Sequence, residues 1–327
     1  MAKLPDLAPE IEQDLARRLD LVEKLLFAHV EGEYPFVNET SRHLIVAGGK
    51  RLRPVLTLLA ANYGNMGERQ VIEAAVVCEL THLATLYHDD VMDEAPLRRG
   101  VESANERWGN AVAILTGDYL FAKASDLLAD LGPEAVRLQA RTFERLVIGQ
   151  IKETQGPQNG ADPLEHYISV IADKTGSLFG TSIRFGALLS GASTQVVEAL
   201  TTFGEEIGIA FQLADDVIDI ASETNESGKT PGTDLREGVP TLVTLLVQKA
   251  DRPEDQKLIA SLAGPISDEN EVAEVLNTLR NHPALEEART IALQYAENSR
   301  KLLSVLPVNQ TTSAFLTLCD SLVTRSS

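Results

Sequence analysis

The sequence predicts an all-α fold. Apolar residues recur at spacings of three and four along most of the chain, as they do on the buried face of an amphipathic helix. No stretch of any length alternates apolar with polar residues, which is the pattern of a half-buried strand. No linker or low-complexity tract divides the chain. We therefore expect residues 1–327 to form a single helical domain.

The bulk composition excludes several classes of partner. The 327 residues are 44% hydrophobic and carry a formal net charge of -19, which disfavours binding to nucleic acid or to an anionic bilayer. Two cysteines, Cys78 and Cys319, are too few for a disulfide framework and suit a reducing compartment. No signal peptide or membrane-spanning stretch is recognisable, so we expect a cytoplasmic protein.

The first predicted helix runs from Asp6 to about His29. The segment GGKRLRP follows at Gly48–Pro54, with two glycines that permit a turn and a proline suited to the first turn of the next helix. Two interpretations stay open for its cations. They are either a solvated basic helix start, or a diphosphate clamp in which Lys50 and Arg53 point together at a helix N-terminus.

Two acidic clusters stand out in otherwise apolar runs. A long helix predicted from Glu68 to Glu94 carries the aspartates of HDDVMDEAPLRRG (His88–Gly100), and a helix predicted from Ser193 to Ile220 carries ADDVIDI. Like charges four residues apart on a helix repel, and an unpaired buried carboxylate costs several kcal/mol. A hard divalent cation with oxygen ligands, Mg²⁺, is the expected counter-charge. The clusters contain Asp89, Asp90, Asp93, Asp215, Asp216 and Asp219.

Basic and imidazole side chains lie near the first cluster. His82 is two turns before Asp89, where a lone histidine is more often a satisfied core residue than a ligand. Arg98 and Arg99 follow the cluster, and two interpretations stay open for them: plain salt bridges or recognition of phosphate.

Further helices are predicted over Ala111–Leu131 and Glu134–Glu153, and helical periodicity returns from Pro240 onward. The sequence KTGSLFG, Lys174–Gly180, is typical of a helix break or of an anion site. Residues Ala221–Gly238 form the longest polar segment with Gly and Pro, and they include Lys229. We predict a lid there.

A single reaction class can use the acidic clusters, the basic segments and the lid together. Metal ions between acidic walls bind one diphosphate and let the carbon–oxygen bond ionise to a carbocation. Separate cations hold a second diphosphate, and apolar helices supply a dry tunnel.

The chain resembles the trans-type isoprenyl diphosphate synthases. The resemblance covers most of the length, with the family's motifs in the family's order: GGKRLRP, HDDVMDEAPLRRG, KTG, FQLADDVID and GKTPGTD. It implies a large helical bundle around a central cavity, a homodimer, and three Mg²⁺ ions. It also implies head-to-tail condensation of isopentenyl diphosphate with an allylic diphosphate.

The resemblance also implies a role for each matching residue. The six aspartates would be the metal clusters, with Asp89, Asp93 and Asp215 as the expected direct ligands. The allylic diphosphate would be held by Arg98, Lys174, Thr175, Gln212 and Lys229. Isopentenyl diphosphate would be held by Lys50, Arg53, His82 and Arg99. The expected catalytic set is Asp89, Asp93, Asp215, Lys174 and Lys229.

One position departs from the family pattern. Many members have a second lysine after the lid, in a Gly-Lys-x-Thr context, where this chain reads Gly238, Val239, Pro240, Thr241. Lys229 then carries that charge alone, which leaves open how tightly the lid grips the diphosphate.

Product length depends in the family on residues just before the first cluster. Here these are Thr85 and Ala84, with Thr81 and Cys78 further back, and none is large enough to stop a growing chain. About 20 helical residues give roughly 30 Å of wall. We expect a product of about seven to ten units, of the kind that becomes a quinone side chain and passes to membrane enzymes. Tyr87 should lie off the tunnel face.

Three alternatives remain. A short-chain farnesyl or geranylgeranyl diphosphate synthase would share every motif. A non-catalytic subunit of a heteromeric synthase would not need intact metal clusters. A terpene cyclase would not need the second diphosphate site around Lys50 and Arg53.

Overall fold

The computed structural model confirms the predicted all-α class. It describes residues 7–65, 67–222 and 231–326. The described residues form the following helices: α1 Pro9–His29, α2 Pro35–Val46, α3 Leu52–Ala60, α4 Glu68–Met92, α5 Ala104–Trp108, α6 Asn110–Leu131, α7 Pro133–Gln155, α8 Pro163–Ile171, α9 Ser177–Leu189, α10 Thr194–Ala221, α11 Thr233–Glu237, α12 Leu242–Ala250, α13 Gln256–Ser261, α14 Glu269–Arg280, α15 Pro283–Leu302 and α16 Gln310–Ser326.

One small β-hairpin accompanies the helices. Strand β1 (Leu97–Arg98) pairs antiparallel with strand β2 (Val101–Glu102). Arg99 and Gly100 connect them, and both have positive φ, 54° and 78°. A two-residue turn with both φ values positive matches the twist of a hairpin, and Gly favours it. Strands this short leave no alternating pattern in the sequence.

The chain divides into two compact units. The first comprises the described residues of Met1–Phe143, Leu178–Gly204 and Val305–Thr317. The second comprises those of Glu144–Ser177, Glu205–Ser304 and Leu318–Ser327. The single domain and the central cavity expected from the sequence stay predictions.

In the first unit, α4 packs against α6, α3 and α1. The approach to α6 is close at Gly117, where a Cβ atom would lie 2.3 Å from Nε2 of His88 and 3.1 Å from the carbonyl oxygen of Ala84. Only glycine fits this position without movement of a neighbour. The backbone of α6 therefore approaches α4 one residue before the first acidic cluster.

In the second unit, α10 and α12 share an apolar core with α8, α14 and α15. Asp162 caps α8 because its side chain accepts hydrogen bonds from the backbone N–H of Leu164 and Glu165. A π-helical turn, Ala172–Gly176, joins α8 to α9 and contains the KTG motif. π-Helical turns are rare in proteins, and those that occur often lie at functional sites.

The polar segment between α10 and α12 is described only in part. Residues 223–230, including Lys229, lie outside the described residues. The short helix α11 occupies Thr233–Glu237, so this part of the predicted lid is helical. The lid itself stays a prediction. Among the described residues, no helix is both long enough and apolar enough to cross a membrane.

Candidate functional site

The first acidic cluster lies at the C-terminal end of α4. Asp89 is half-buried and Asp93, at the C-cap, is exposed, whereas Asp90 has no exposed surface. The hairpin returns the chain so that Nε of Arg98 donates a hydrogen bond to Oδ1 of Asp90 over 2.5 Å. Burial raises the pKa of Asp90, and the charge of Arg98 opposes that rise. The salt-bridge interpretation of Arg98 thus holds here, and its binding of diphosphate stays a prediction.

A buried arginine, for which the sequence predicted no role, stabilises the glycine turn before α3. Arg51 is 5% exposed and has a positive φ of 53°. Its guanidinium donates to the carboxylates of Glu23 and Glu79 and to the carbonyl oxygens of Ile45 and Gly48. Arg51 therefore holds the turn that carries Lys50. Because its partners are distant in sequence, no local pattern reveals this role.

Arg99 packs against the same turn. Its Nη1 donates to the carbonyl oxygens of Leu44 (2.7 Å) and Gly48, and its Nη2 lies 3.8 Å from Glu79. A Cβ atom on Gly49 would lie 2.9 Å from both guanidinium groups, that of Arg99 and that of Arg51. Gly49 is thus required by close packing as well as by its positive φ of 143°, whereas Gly48 is required only by its positive φ of 95°.

Arg53 joins Arg51 and Arg99 in a cationic cluster of the first unit, and the His82 ring lies beside these arginines. The Arg53 guanidinium lies 5.2 Å from the ring centroid of Phe179, and its buried Nε makes no hydrogen bond within the described chain. Burial lowers the pKa of Arg53 to about 10, so it remains charged at neutral pH. Burial, and then the neighbouring Arg53, Arg99, Arg98 and Arg51, lower the pKa of His82 well below its usual value. Such an excess of positive charge can bind an anion.

The second acidic cluster lies on α10 in the second unit. Asp215 and Asp219 are half-buried and share a helix face, whereas Asp216 is 4% exposed. Asp216 accepts hydrogen bonds from the hydroxyl of Tyr167, from Nε2 of Gln212 (3.1 Å) and from the backbone N–H of Leu242 (3.3 Å). Burial raises the pKa of Asp216 to about 6 despite these donors.

The π-helical turn contributes polar groups to the same unit. Thr175 donates to Oε1 of Gln212 over 3.3 Å, so the turn is linked to the helix of the second cluster. Nζ of Lys174 forms an ion pair with Glu153 of α7. Sequence reasoning missed Tyr167 and Glu153. For Glu153 the available signal was its position as the last residue of the helix predicted over Glu134–Glu153.

The predicted residues divide between the two units. The first unit contains Lys50, Arg53, His82, Asp89, Asp90, Asp93, Arg98 and Arg99. The second contains Lys174, Thr175, Gln212, Asp215, Asp216 and Asp219. Lys229 lies outside the described residues. The functional role of each of these residues stays a prediction.

The positions predicted to limit product length lie on α4. Thr85 is half-buried, whereas Ala84, Thr81 and Cys78 have no exposed surface in this structure. The hydroxyl of Tyr87 donates to the carbonyl oxygen of Thr40 over 2.5 Å. Tyr87 is therefore directed to α2, and its expected position off the tunnel face stays a prediction.

The acidic residues fit a divalent metal that is also bound by substrate. No three His, Cys, Asp or Glu side chains in the described ranges are arranged to hold a metal by themselves. Asp89 with Asp93 and Asp215 with Asp219 each offer carboxylate oxygens from one helix face. Mg²⁺ commonly binds one or two carboxylates and completes its coordination with water and substrate phosphates.

Comparison with known proteins shows the family of this chain. The polyprenyl synthetase family model matches residues 34–279. A nonaprenyl diphosphate synthase of Mycobacterium tuberculosis is 48% identical over 93% of this chain and 91% of its own length. A dimethylallyltranstransferase of the same organism is 38% identical over 97% of this chain and 95% of its own length.

Solved structures give the same result. A geranylgeranyl pyrophosphate synthase from Corynebacterium glutamicum, complexed with calcium and isoprenyl diphosphate, superimposes with a TM-score of 0.88 and 42% identity, covering 98% of this chain and 99% of its own. An all-α chain with two aspartate clusters and a cationic cluster is thus of the prenyltransferase class. The chain belongs to the polyprenyl synthetase family. It is a trans-prenyltransferase of that family.

Proposed function

We propose that this protein condenses isopentenyl diphosphate head-to-tail with an allylic diphosphate, in the presence of Mg²⁺, to give a long all-trans polyprenyl diphosphate. The observation that carries the proposal is the cationic cluster of Arg53 and Arg99, with the His82 ring beside it, in a chain that also has two aspartate clusters. A diphosphate held by arginines, separate from one held through metal-binding carboxylates, is what a two-substrate condensation requires. The C. glutamicum relative was crystallised with calcium and isoprenyl diphosphate, which supports both the metal and the substrate class.

The residues of this chain have distinct tasks in the proposed reaction. Lys50, Arg53, His82 and Arg99 bind and orient isopentenyl diphosphate. Lys174, Thr175, Gln212, Lys229 and Arg98 bind the allylic diphosphate. Asp89, Asp93, Asp215 and Asp219 hold Mg²⁺, three ions by the family pattern, which supplies positive charge to the leaving diphosphate when bound. Asp90 and Asp216 belong to the same clusters, and their hydrogen bonds favour an orienting role.

The reaction then needs few further groups. Ionisation of the allylic carbon–oxygen bond leaves a carbocation, which the double bond of isopentenyl diphosphate attacks. Loss of a proton restores the neutral chain, and the released diphosphate can accept that proton, so no protein base is assigned. Apolar side chains exclude water that would otherwise capture the carbocation.

We propose a product of about seven to ten units. About 20 helical residues, at a rise of ~1.5 Å per residue, give a wall of roughly 30 Å along which the product can extend. The small side chains at Thr85, Ala84, Thr81 and Cys78 support a long product, as does the 48% identity to a nonaprenyl diphosphate synthase. The 38% identity to a dimethylallyltranstransferase keeps a short-chain product as the alternative. Such a long product suits a quinone side chain and transfer to membrane enzymes.

We also propose that the enzyme is a cytoplasmic homodimer. Helix α6 exposes Ile114 (42%) and Leu115 (66%), and large apolar side chains that are exposed next to one another are typical of an interface between proteins. Light scattering on the purified protein measures the oligomeric state directly. A monomer at micromolar concentration contradicts the proposal.

The decisive experiment is a product-length assay. The purified protein is incubated with Mg²⁺, farnesyl diphosphate and labelled isopentenyl diphosphate, and the products are separated by length. Products of seven units or more support the proposal, and products of three or four units identify a short-chain synthase. No elongation at any Mg²⁺ concentration leaves the non-catalytic subunit, and a cyclic hydrocarbon identifies a terpene cyclase.

A further inference from the structure

Asp216, in the second acidic cluster, accepts hydrogen bonds from three donors. It is 4% exposed, and a buried carboxylate is costly unless hydrogen bonds compensate it. Its Oδ2 accepts from the Tyr167 hydroxyl and from the backbone N–H of Leu242 (3.3 Å), and its Oδ1 accepts from Nε2 of Gln212 (3.1 Å). These donors come from α8, α12 and α10 itself. Asp216 is thus the point at which three helices of the second unit are joined.

The anchoring of Asp216 fixes the rotation of α10 about its axis. Successive residues of a helix are about 100° apart, so a side chain held inward at Asp216 directs Asp215 and Asp219 to a common face elsewhere. Both of these residues are half-buried, which agrees with that geometry. A loose Asp216 would let the two other carboxylates change their separation and direction.

Tyr167 is the donor that links this anchor to the helix preceding the π-helical turn. It lies on α8, seven residues before Lys174, and it packs against the apolar core of the unit. Burial and the neighbouring carboxylate of Asp216 raise the pKa of Tyr167 well above its usual value. The hydroxyl therefore stays protonated at neutral pH and remains a donor to Asp216.

We propose that Tyr167 is a positioning residue for the metal-binding aspartates of α10, acting through its hydrogen bond to Asp216. Loss of this hydroxyl lowers the affinity for Mg²⁺ in the presence of diphosphate without removing any metal ligand. Partners that orient metal ligands commonly change metal affinity by about tenfold or more when mutated. This inference rests on the proposed function, because it assumes that Asp215 and Asp219 bind Mg²⁺.

The test compares Tyr167→Phe with Tyr295→Phe. Tyr295 packs against the same apolar core from α15 and does not belong to the donors of Asp216, so it is a matched control. The melting temperature of each protein is measured during titration with Mg²⁺ at fixed inorganic pyrophosphate. We expect wild type and Tyr295→Phe to be half-saturated at the same Mg²⁺ concentration, and Tyr167→Phe to need about tenfold more. At saturating Mg²⁺ the KM for isopentenyl diphosphate should not change.

A Tyr167→Phe titration that superimposes on the wild type overturns the inference while leaving the proposed function intact. If the wild type itself is not stabilised by Mg²⁺ with pyrophosphate, the proposed metal clusters fail instead.

A double-mutant cycle separates positioning from general damage to the fold. Asp216→Asn and the double variant Tyr167→Phe/Asp216→Asn are titrated in the same way. Because Tyr167 acts through Asp216, the double variant should need no more Mg²⁺ than Asp216→Asn alone. If each substitution raises the required Mg²⁺ concentration by its own factor and the two factors multiply in the double variant, Tyr167 does not act through Asp216. This conclusion holds even where Tyr167→Phe lowers the melting temperature of the ligand-free protein.

Discussion

Arg98 donates a hydrogen bond from Nε to Oδ1 of Asp90 over 2.5 Å, and the carboxylate that accepts it has no exposed surface. The β-hairpin is what brings Arg98 back to the helix end. The same arrangement recurs at Asp216, where Tyr167 and Gln212 are the side-chain donors. In both clusters the middle aspartate is thus buried and bonded to protein, while the outer two keep exposed surface.

Replacement of Arg98 by Met should destabilise the protein. The substitution leaves the buried carboxylate of Asp90 without its charged donor, which costs about 2 kcal/mol. Urea unfolding measures the change in the free energy of unfolding. Arg107→Met is the control, because Arg107 pairs with Glu39 where both side chains are exposed, 43% and 52%, and such pairs contribute about 0–1 kcal/mol. Equal losses in the two variants would contradict a special role for the buried pair.

His82 should make stability depend on pH. Burial and four neighbouring arginines lower the pKa of His82 in the folded protein, so below about pH 6.5 the unfolded chain binds a proton that the folded chain excludes. The contribution of the neutral His82 ring to the stability of the protein is therefore fully present above that pH, and it is lost as the pH falls. Between about pH 7 and pH 5, the free energy of unfolding should decrease more in wild type than in His82→Gln. If the free energy of unfolding changes equally with pH in the two proteins, the lowered pKa of His82 is refuted.

Helices with long apolar periodicity were predictable from the sequence. The structure places α1, α4, α6 and α10 within about three residues of the predicted bounds, because each is amphipathic or buried over several turns and ends near glycine, proline or polar residues. The shorter helices α2, α5 and α8 were not predicted. Periodicity over so few turns is a weak signal, because packing rather than local preference stabilises short helices.

The site was predictable where its chemistry is local. Paired aspartates and clustered cations lie next to one another in the sequence, and the charge conflict that they create is visible there. The supporting contacts are not local. Tyr167 and Asp216 are 49 positions apart, and Arg51 is 28 positions from both Glu23 and Glu79. Only the fold brings such partners together, so a single sequence does not reveal them.

A phenylalanine at Thr85 should shorten the product. Thr85 is half-buried on α4, so a ring there would fill space next to the growing chain. Ala84→Phe is less suitable, since Ala84 is fully buried and its carbonyl oxygen lies near Gly117. The added ring would overpack this contact. Thr85→Val, which adds no length, is the control. Products of unchanged length in Thr85→Phe would remove Thr85 from the wall of the tunnel.

Arg53→Met should weaken the binding of one substrate selectively. Met keeps an apolar stem over Phe179 but removes a charged group whose buried Nε makes no hydrogen bond within the described chain. A hydrogen bond between charged groups contributes about 1.5–3 kcal/mol, so the KM for isopentenyl diphosphate should rise roughly tenfold to a hundredfold. The KM for farnesyl diphosphate should stay within about twofold, because the residues proposed to hold the allylic diphosphate do not include Arg53.

Arg107→Met is the matched control for Arg53→Met, because Arg107 also lies over an aromatic ring, 4.5 Å from the centroid of Trp108. It should leave both KM values unchanged, since Arg107 does not belong to the cationic cluster. Steady-state kinetics with each substrate varied in turn gives the two constants for each variant. An equal rise in both KM values for Arg53→Met would mean that the cluster around Arg53 and His82 serves both diphosphates, and the assignment of a separate site for isopentenyl diphosphate would then be wrong.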